Sequence, residues 1–282
     1  MKKYSLILFA VTVTCIVVGL AYNLKGFPLS GNSESDDLIE DEADFGNVDV
    51  KEINVDMESG RVSFEYGSKL EVSSVFPKDQ IPVVTYEDGI LSVKQNRRKI
   101  VAWKINIHND KYATKITIPE GTVVSNLTVN NDLGNIDVSG DYSNVDLKLG
   151  LGKATLTGNF DNVKVENENG NVELNAKGEK AVSNVDMKLE LGKAMLTGSF
   201  DNVKVVNTNG NVELNADSEK VVSNVDMMLE LGNATLTGNF DRMNVENKNG
   251  SIEVNTDGEL DLNKVSLHSK LGNVIVNGKK ID

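Results

Sequence analysis

Three near-copies decide the fold: LGKATLTGNFDNVKVEN (Leu151–Asn167), LGKAMLTGSFDNVKVVN (Leu191–Asn207) and LGNATLTGNFDRMNVEN (Leu231–Asn247). They recur every 40 residues, and residues 151–190 match residues 191–230 at 32 of 40 positions. A fixed period of this length marks stacked modules that bury a core only by lying on one another. Glycines divide each module again: Gly152, Gly170, Gly192, Gly210, Gly232, Gly250 and Gly272 follow one another at alternately shorter and longer spacings. One spacing is one turn of a coil. Gly134 extends the series upstream by one shorter spacing, so LGNIDVSG (Leu133–Gly140) belongs to the stack, and LGNVIVNG (Leu271–Gly278) closes it.

Within a turn the pattern is strand, corner, strand. Val163 and Val165 alternate with Lys164 and Glu166, and beyond Asn169-Gly170 come Val172 and Leu174 separated by Glu173. Period two places one set of side chains inward and the other in water. In VSNVDMKLELG (Val182–Gly192) it assigns Val185, Met187, Leu189 and Leu191 to the core, and Asp186, Lys188 and Glu190 to the surface. Asn-Gly between strands is also a hairpin signal. Near-identical modules, however, satisfy their backbones best beside equivalent strands, at ~4.8 Å per rung. The expected fold is therefore all-β, a parallel β-solenoid of about 18–22 residues per rung. Asn and Gly then serve corners, with Asn167, Asn207 and Asn247 expected as one ladder and Asn175, Asn215 and Asn255 as another.

Outward from the repeats, residues 45–130 are strand-rich without the 40-residue identity: VDVKEINVDM (Val48–Met57), RVSFEYG (Arg61–Gly67), ILSVKQ (Ile90–Gln95), KINIH (Lys104–His108) and KITIPEG (Lys115–Gly121). This region is expected to start the same architecture irregularly and to cap it, since an open strand edge invites aggregation. Before it, SESDDLIEDEAD (Ser33–Asp44) holds seven acids and no base; residues 26–44 read as a self-repelling acidic linker. The repetitive solenoid spans residues 131–282.

At the other end, residues 4–24 (YSLILFAVTVTCIVVGLAYNL) carry no charge. Twenty-one residues at ~1.5 Å each span roughly the ~30 Å hydrocarbon layer of a bilayer. Lys2 and Lys3 precede the run and Lys25 alone closely follows it, which predicts that residues 1–25 form a cytoplasmic tip and one transmembrane helix, with the N-terminus cytoplasmic and the rest extracytoplasmic. Two rival readings remain open: a secretory signal cleaved near Gly19-Leu20-Ala21, which would release the protein, and lipidation at Cys15. Cys15 is the single cysteine, so disulfides and thiolate metal sites are excluded from the exported part.

Charge narrows the partners. The chain has 29 Lys and Arg against 42 Asp and Glu, a net −13; three of the lysines and none of the acids lie in residues 1–31, leaving 26 against 42, or −16, for the remainder. Broad nucleic-acid binding is disfavoured. Catalytic constellations are equally scarce. His108 and His268 are separated by most of the repeats, and His268 departs from a Met and Leu series at corresponding repeat positions. GLGKAT (Gly150–Thr155) mimics a phosphate loop, but Ala154 stands where Ser or Thr is needed and no helix is expected to follow. Asp146, Asp186 and Asp226 recur at one repeat position and are expected to form an outward acidic stripe, a candidate Ca²⁺ surface that lacks the calcium-binding nonapeptide pattern. No catalytic residue, cofactor or metal site is assigned. Nearly every side chain from 151 to 250 has a copy one module away, whereas an active site is normally built once.

One segment is singular. NRRKIVAWK (Asn96–Lys104) joins two of the four arginines to the only tryptophan. Arg97, Arg98, Lys99, Trp103 and Lys104 are the candidate partner-binding residues, able to meet phosphates, headgroups or an acidic protein loop. The other reading is a hairpin whose Trp103 packs the cap.

KITIPEG followed by NLTVNNDLGNIDVSG (Asn126–Gly140), with strand pairs punctuated by Gly-Asn thereafter, is similar to the bacterial putative-adhesin domain family of unknown function. With the N-terminal anchor, the chain resembles LiaG-type membrane proteins associated with cell-envelope stress loci. The resemblance covers about Phe45 to the C-terminus. It implies a β-solenoid outside the membrane, working as a scaffold or binding protein of the cell envelope near the stress response, and it carries over no catalytic residue. The partners so implied are the membrane and an envelope polymer or another membrane protein. A surface adhesin is the alternative; a β-helical polysaccharide-modifying enzyme is a third reading.

Overall fold

The structure, a computed structural model, describes residues 38–96, 111–258, 260–261 and 263–281. The expected anchor and the basic-aromatic residues Arg97, Arg98, Lys99, Trp103 and Lys104 lie outside the described residues, as does His108. Among the described residues no helix is long and apolar enough to cross a membrane.

Alternating Val, Leu, Ile and Met suit extended strands, and among the described residues 24 strands form, 22 of them hydrogen-bonded into one continuous sheet that coils into a parallel solenoid of about eight turns. Each turn lays down a long row, bends at a glycine, and lays down a short row. Residues 142–151, 160–169, 182–191 and 200–209 stack in parallel as long rows, with Val145, Val163, Val185 and Val203 in one file. Residues 154–158, 172–176, 194–198 and 212–216 stack likewise as short rows, filing Leu156, Leu174, Leu196 and Leu214. Inward side chains from both rows form one core in which Leu147, Leu156, Val165, Leu174, Met187 and Leu189 are fully buried. At one end of the long row Phe160, Val182 and Phe200 alternate large and small, and Tyr142 stacks on Phe160 at 6.2 Å.

The corner glycines explain the spacing. A Cβ on Gly192 would lie 1.8 Å from the Gly170 carbonyl oxygen, and one on Gly210 would lie 1.8 Å from that of Gly192. Contacts this short recur at each corner from Gly134 to Gly272, so each glycine makes room for the carbonyl of the turn beneath. Gly192 and Gly210 also take φ of 150° and 145°, which L side chains rarely adopt. The longer glycine spacings differ from the shorter ones by a loop between short and long rows, at residues 177–180 and 217–220. These loops touch across two turns, where Lys220 Nζ donates to the Glu179 carbonyl.

Three expectations are corrected. Leu191 is 45% exposed: the chain has already begun to bend toward Gly192, and the inward alternation ends at Leu189. Asn167, Asn207 and Asn247 do not stack on one another. They alternate with Leu149, Leu189 and Leu229, and each buried Nδ2 donates to a corner carbonyl, of Gly152, Gly192 and Gly232 respectively, at 2.8–3.0 Å. Asn175, Asn215 and Asn255 likewise alternate, with Thr197 and Thr237 between them. Finally, the acidic stretch expected as linker through residue 44 is strand from Leu38: Leu38–Gly46 pairs antiparallel with Leu70–Pro77.

That strand belongs to an N-terminal cap that departs from a simple parallel coil. Glu52–Met57 and Arg61–Gly67 make a turn beneath Val124–Leu133 and residues 136–138. Ile90–Lys94 and Ala113–Pro119 make the next turn outward. Antiparallel strands Val83–Glu87, Leu70–Pro77 and Leu38–Gly46 close it. Buried Gln95 staples the cap, its Oε1 accepting from the Glu58 and Ser59 amides while its Nε2 donates to the Gln80 carbonyl. At the far end, Val274–Val276 and Lys279–Ile281 form an antiparallel hairpin.

Three stability measurements test this architecture. Val172, 1% exposed, should cost ~4 kcal/mol or more on Val172→Asp, which buries an unpaired carboxylate. Outward Glu173→Lys should stay within about 1 kcal/mol; equal melting temperatures would refute the assigned faces. Gly192→Ala should destabilise by ~3 kcal/mol, whereas Gly121→Ala, with nothing within 4 Å of a new Cβ, should cost about 1 kcal/mol. Removing the two-turn module Leu191–Glu230 should leave a cooperatively melting, shorter coil. Removing only the single turn Gly192–Asn209 sets Asp186 beside Asp226 and Glu190 beside Glu230, and it should melt several degrees lower because like charges then face across strands.

Candidate functional site

The coil turns whole files of polar groups to solvent on two outer faces, a long and a short one, and the long face carries the more numerous files. Strand register sorts them into columns. The first runs Asn126, Asn144, Asn162, Asn184, Asn202 and Asn224. It is an asparagine ladder: Asn144 donates to Asn126 Oδ1 at 3.1 Å, Asn162 to Asn144 at 2.9 Å and Asn184 to Asn162 at 2.7 Å. Asn144 and Asn202 each spend a further donor contact on a backbone carbonyl, of Ser125 and Ser183. Comparison of residues one module apart misses this ladder, although asparagines that keep step with the corner glycines, at the same alternation of shorter and longer intervals, are its signature.

The second column overturns the acidic stripe. Asp146, Asp186 and Asp226 share a face, but Lys164 and Lys204 stand between them, so the file reads Asp, Lys, Asp, Lys, Asp. Lys164 Nζ lies 3.6 Å from Asp146 and 3.1 Å from Glu166. Its hydrogen bond with Glu166, and the nearby Asp146 charge, raise the Lys164 pKa above the usual lysine value; the same bond holds Glu166 below the usual carboxylate range. Alternation removes the run of like charges that a multivalent cation site needs. A third column runs Lys148, Glu166, Lys188, Val206, Met228, Glu246 and His268. His268 is therefore outward and exposed beside Glu246; the inward repeat position belongs to its neighbour Leu267. Across the first two columns lies a shallow groove of ≈ 490 Å³, lined by Glu52, Thr128 and ladder residues.

The short outer face is built on the same rule. Lys153 Nζ meets Glu173 at 2.6 Å and Lys193 meets Glu213 at 2.7 Å, and the Lys153 hydrogen bond lowers the Glu173 pKa. GLGKAT, the phosphate-loop mimic, spans the corner at Gly152 and continues into Ala154–Asn169, a strand, so no helix N-terminus is offered to an anion. A trio of carboxylates, Glu42, Asp44 and Glu71, converges on the cap, and Lys69 occupies it, 2.5 Å from Asp44 and from Glu71. That bond draws the Asp44 pKa down and the Lys69 pKa up. Beside the cap, burial raises the pKa of Tyr142 and of Tyr66, and the Tyr66 hydroxyl donates to the Thr122 carbonyl while accepting from the Asp141 amide. These groups join the cap to the first regular turns.

No protein-family model and no curated protein matches this chain. Solved structures resemble it in outline. A putative adhesin from Bacteroides fragilis shares 16% identity over 87% of this chain and 100% of its own, with a TM-score of 0.49. A putative cell adhesion protein from Clostridium sporogenes shares 11% over 75% and 100%, at 0.34, and a putative lipid binding protein from Parabacteroides distasonis shares 16% over 84% and 96%, at 0.40. At such identities and scores, the fold and function of this chain rest on its own residues.

Proposed function

We propose that this chain is a non-enzymatic binding scaffold of the bacterial cell envelope, anchored by residues 4–24 with the solenoid outside the cytoplasmic membrane, and acting as an accessory of envelope-stress sensing. The observation that carries the scaffold reading is duplication with internal neutralisation. The outward charges of the repeats recur every two turns and many meet opposite charges on the adjacent turn, so the coil presents a regular surface and not a single convergent acid–base centre. The anchor rests on the uncharged run from Tyr4 to Leu24 flanked by Lys2 and Lys3. Local specificity is assigned to Arg97, Arg98, Lys99, Trp103 and Lys104, a basic-aromatic insertion in a chain whose residues after 31 carry a net −16. An envelope polymer or acidic protein loop drawn to it would bind less tightly as salt rises.

The chain should remain in membranes washed with alkaline carbonate, and protease added to intact protoplasts should remove the solenoid. Crosslinking in those membranes followed by pull-down should recover an envelope component from the unaltered chain and much less from Arg97→Glu/Arg98→Glu at an unchanged melting temperature. Release by carbonate would refute the anchor, and undiminished capture by the double variant would refute the assigned segment.

A further inference from the structure

The long outer face is complementary to itself, and we propose that it is the interface of an antiparallel dimer of this chain. The starting point is a departure from the repeat. In the third column, Lys148, Glu166 and Lys188 give way to Val206 and Met228 before Glu246 resumes the charges. Met228 is 47% exposed and stands where the corresponding turns carry Lys148 and Lys188. Two adjacent apolar side chains therefore occupy the centre of a face whose neighbouring outward columns are polar, with the exposed Leu191 and Leu231 at its corner edge, the arrangement of an interface core inside a largely charged rim.

A half-turn about an axis along the strand direction, between Phe200–Asn209 and Asn224–Leu231, lays one such face on another with columns preserved and turn order reversed. Val206 then meets the partner's Met228, and Met228 the partner's Val206, as an isologous contact requires. Around them, Lys204 faces the partner's Asp226, Lys188 faces the partner's Glu246, Glu190 faces the partner's Lys248, and Glu168 faces the partner's Lys270. No like charges oppose. Among the described residues no ion pair within 4 Å joins Glu168, Lys188, Glu190, Glu246 or Lys270 to its own copy, while Lys188 lies near Glu166 and Lys248 is held by Glu230. The contact therefore gives Glu168, Glu190, Glu246 and Lys270 their counter-charges and draws Lys188 and Lys248 into shared pairings. The parallel alternative, about an axis along the stack, sets Lys204 on Val206, Asp226 on Met228 and Arg242 on Lys248, and is rejected. Six turns at ~4.8 Å and about seven residues of strand cover on the order of 700 Å² per partner, close to the ~800 Å² of a standard interface.

Zero-length carbodiimide crosslinking of the full chain, as a mixture of isotopically labelled and unlabelled copies in detergent micelles, tests this. Glu190–Lys248 and Glu168–Lys270 should crosslink between copies; within one copy they are three and five turns apart, roughly 14 and 24 Å, beyond a direct amide bond. Met228→Lys installs the side chain that Lys148 and Lys188 already place on this face, so folding should be kept while dimer affinity falls by about tenfold. Adding Val206→Glu to that variant should recover dimerisation through a new cross-copy ion pair. A chain that stays monomeric at high micromolar concentration, a dimer lacking both crosslinks, or a Met228→Lys variant that dimerises unchanged would each overturn the proposal. Partner capture through Arg97 and Arg98 is read separately and does not depend on any of these results.

Discussion

Everything regular in this molecule depends on the approach of one glycine to the carbonyl of the glycine one turn below. The gap left by the missing Cβ lets successive corners nest, and nested corners hold the strands at hydrogen-bonding distance along both rows. From that follows the register, and from register follows which side chains file together inside and outside. A methyl group at Gly192 would collide with the Gly170 oxygen, so the strain would fall on the ladder and on the core beneath it.

Nesting also explains why the unit of repetition is two turns although the unit of structure is one. Consecutive turns differ in kind: one offers Asp186, Leu189 and Leu191, the next Lys204, Asn207 and Asn209. Each kind is completed by the other, through Asp against Lys outside and through an asparagine that reaches the corner carbonyl inside. A turn carrying Asp186 and Leu189 stacked on its own kind would lose both, and one carrying Lys204 and Asn207 so stacked would lose the charge match. Alternation thus fixes the order of the stack much as complementary charges fix pairing in coiled coils.

Much of this is legible in the sequence. The 40-residue period, the glycine corners and the inward files from Val163 to Leu189 can be read because period two and a fixed repeat are direct images of strand geometry. What escapes reading does so for identifiable reasons. Residues compared one module apart are two turns apart in space, so Asp146, Asp186 and Asp226 look like neighbours while their true neighbours, Lys164 and Lys204, lie a single turn away in the chain. Leu38–Gly46 looks like a tether because its acids crowd its few apolar residues; it is an edge strand, where charge blocks further pairing. Asn-Gly is likewise ambiguous by itself: at Asn169-Gly170 the following turn supplies a ladder partner and the chain makes a corner, whereas at Asn277-Gly278, with φ of 47° and 74°, it makes a hairpin. Of the candidate site, composition picks out Arg97–Lys104, while the Val206 and Met228 pair stays hidden because, in a linear reading, an apolar residue in a strand looks like core.

The direction of the hydrogen bonds has a mechanical consequence. They run along the stack, from Gly192 to Asn209 and from Gly210 to Leu231, so tension between the two ends loads them a turn at a time and not all together in shear. Under such tension the coil would peel in steps, releasing a shorter and then a longer turn in alternation, each step limited by one corner and one pair of strands. A molecule built this way yields gradually, and its extension would record the tension applied to it.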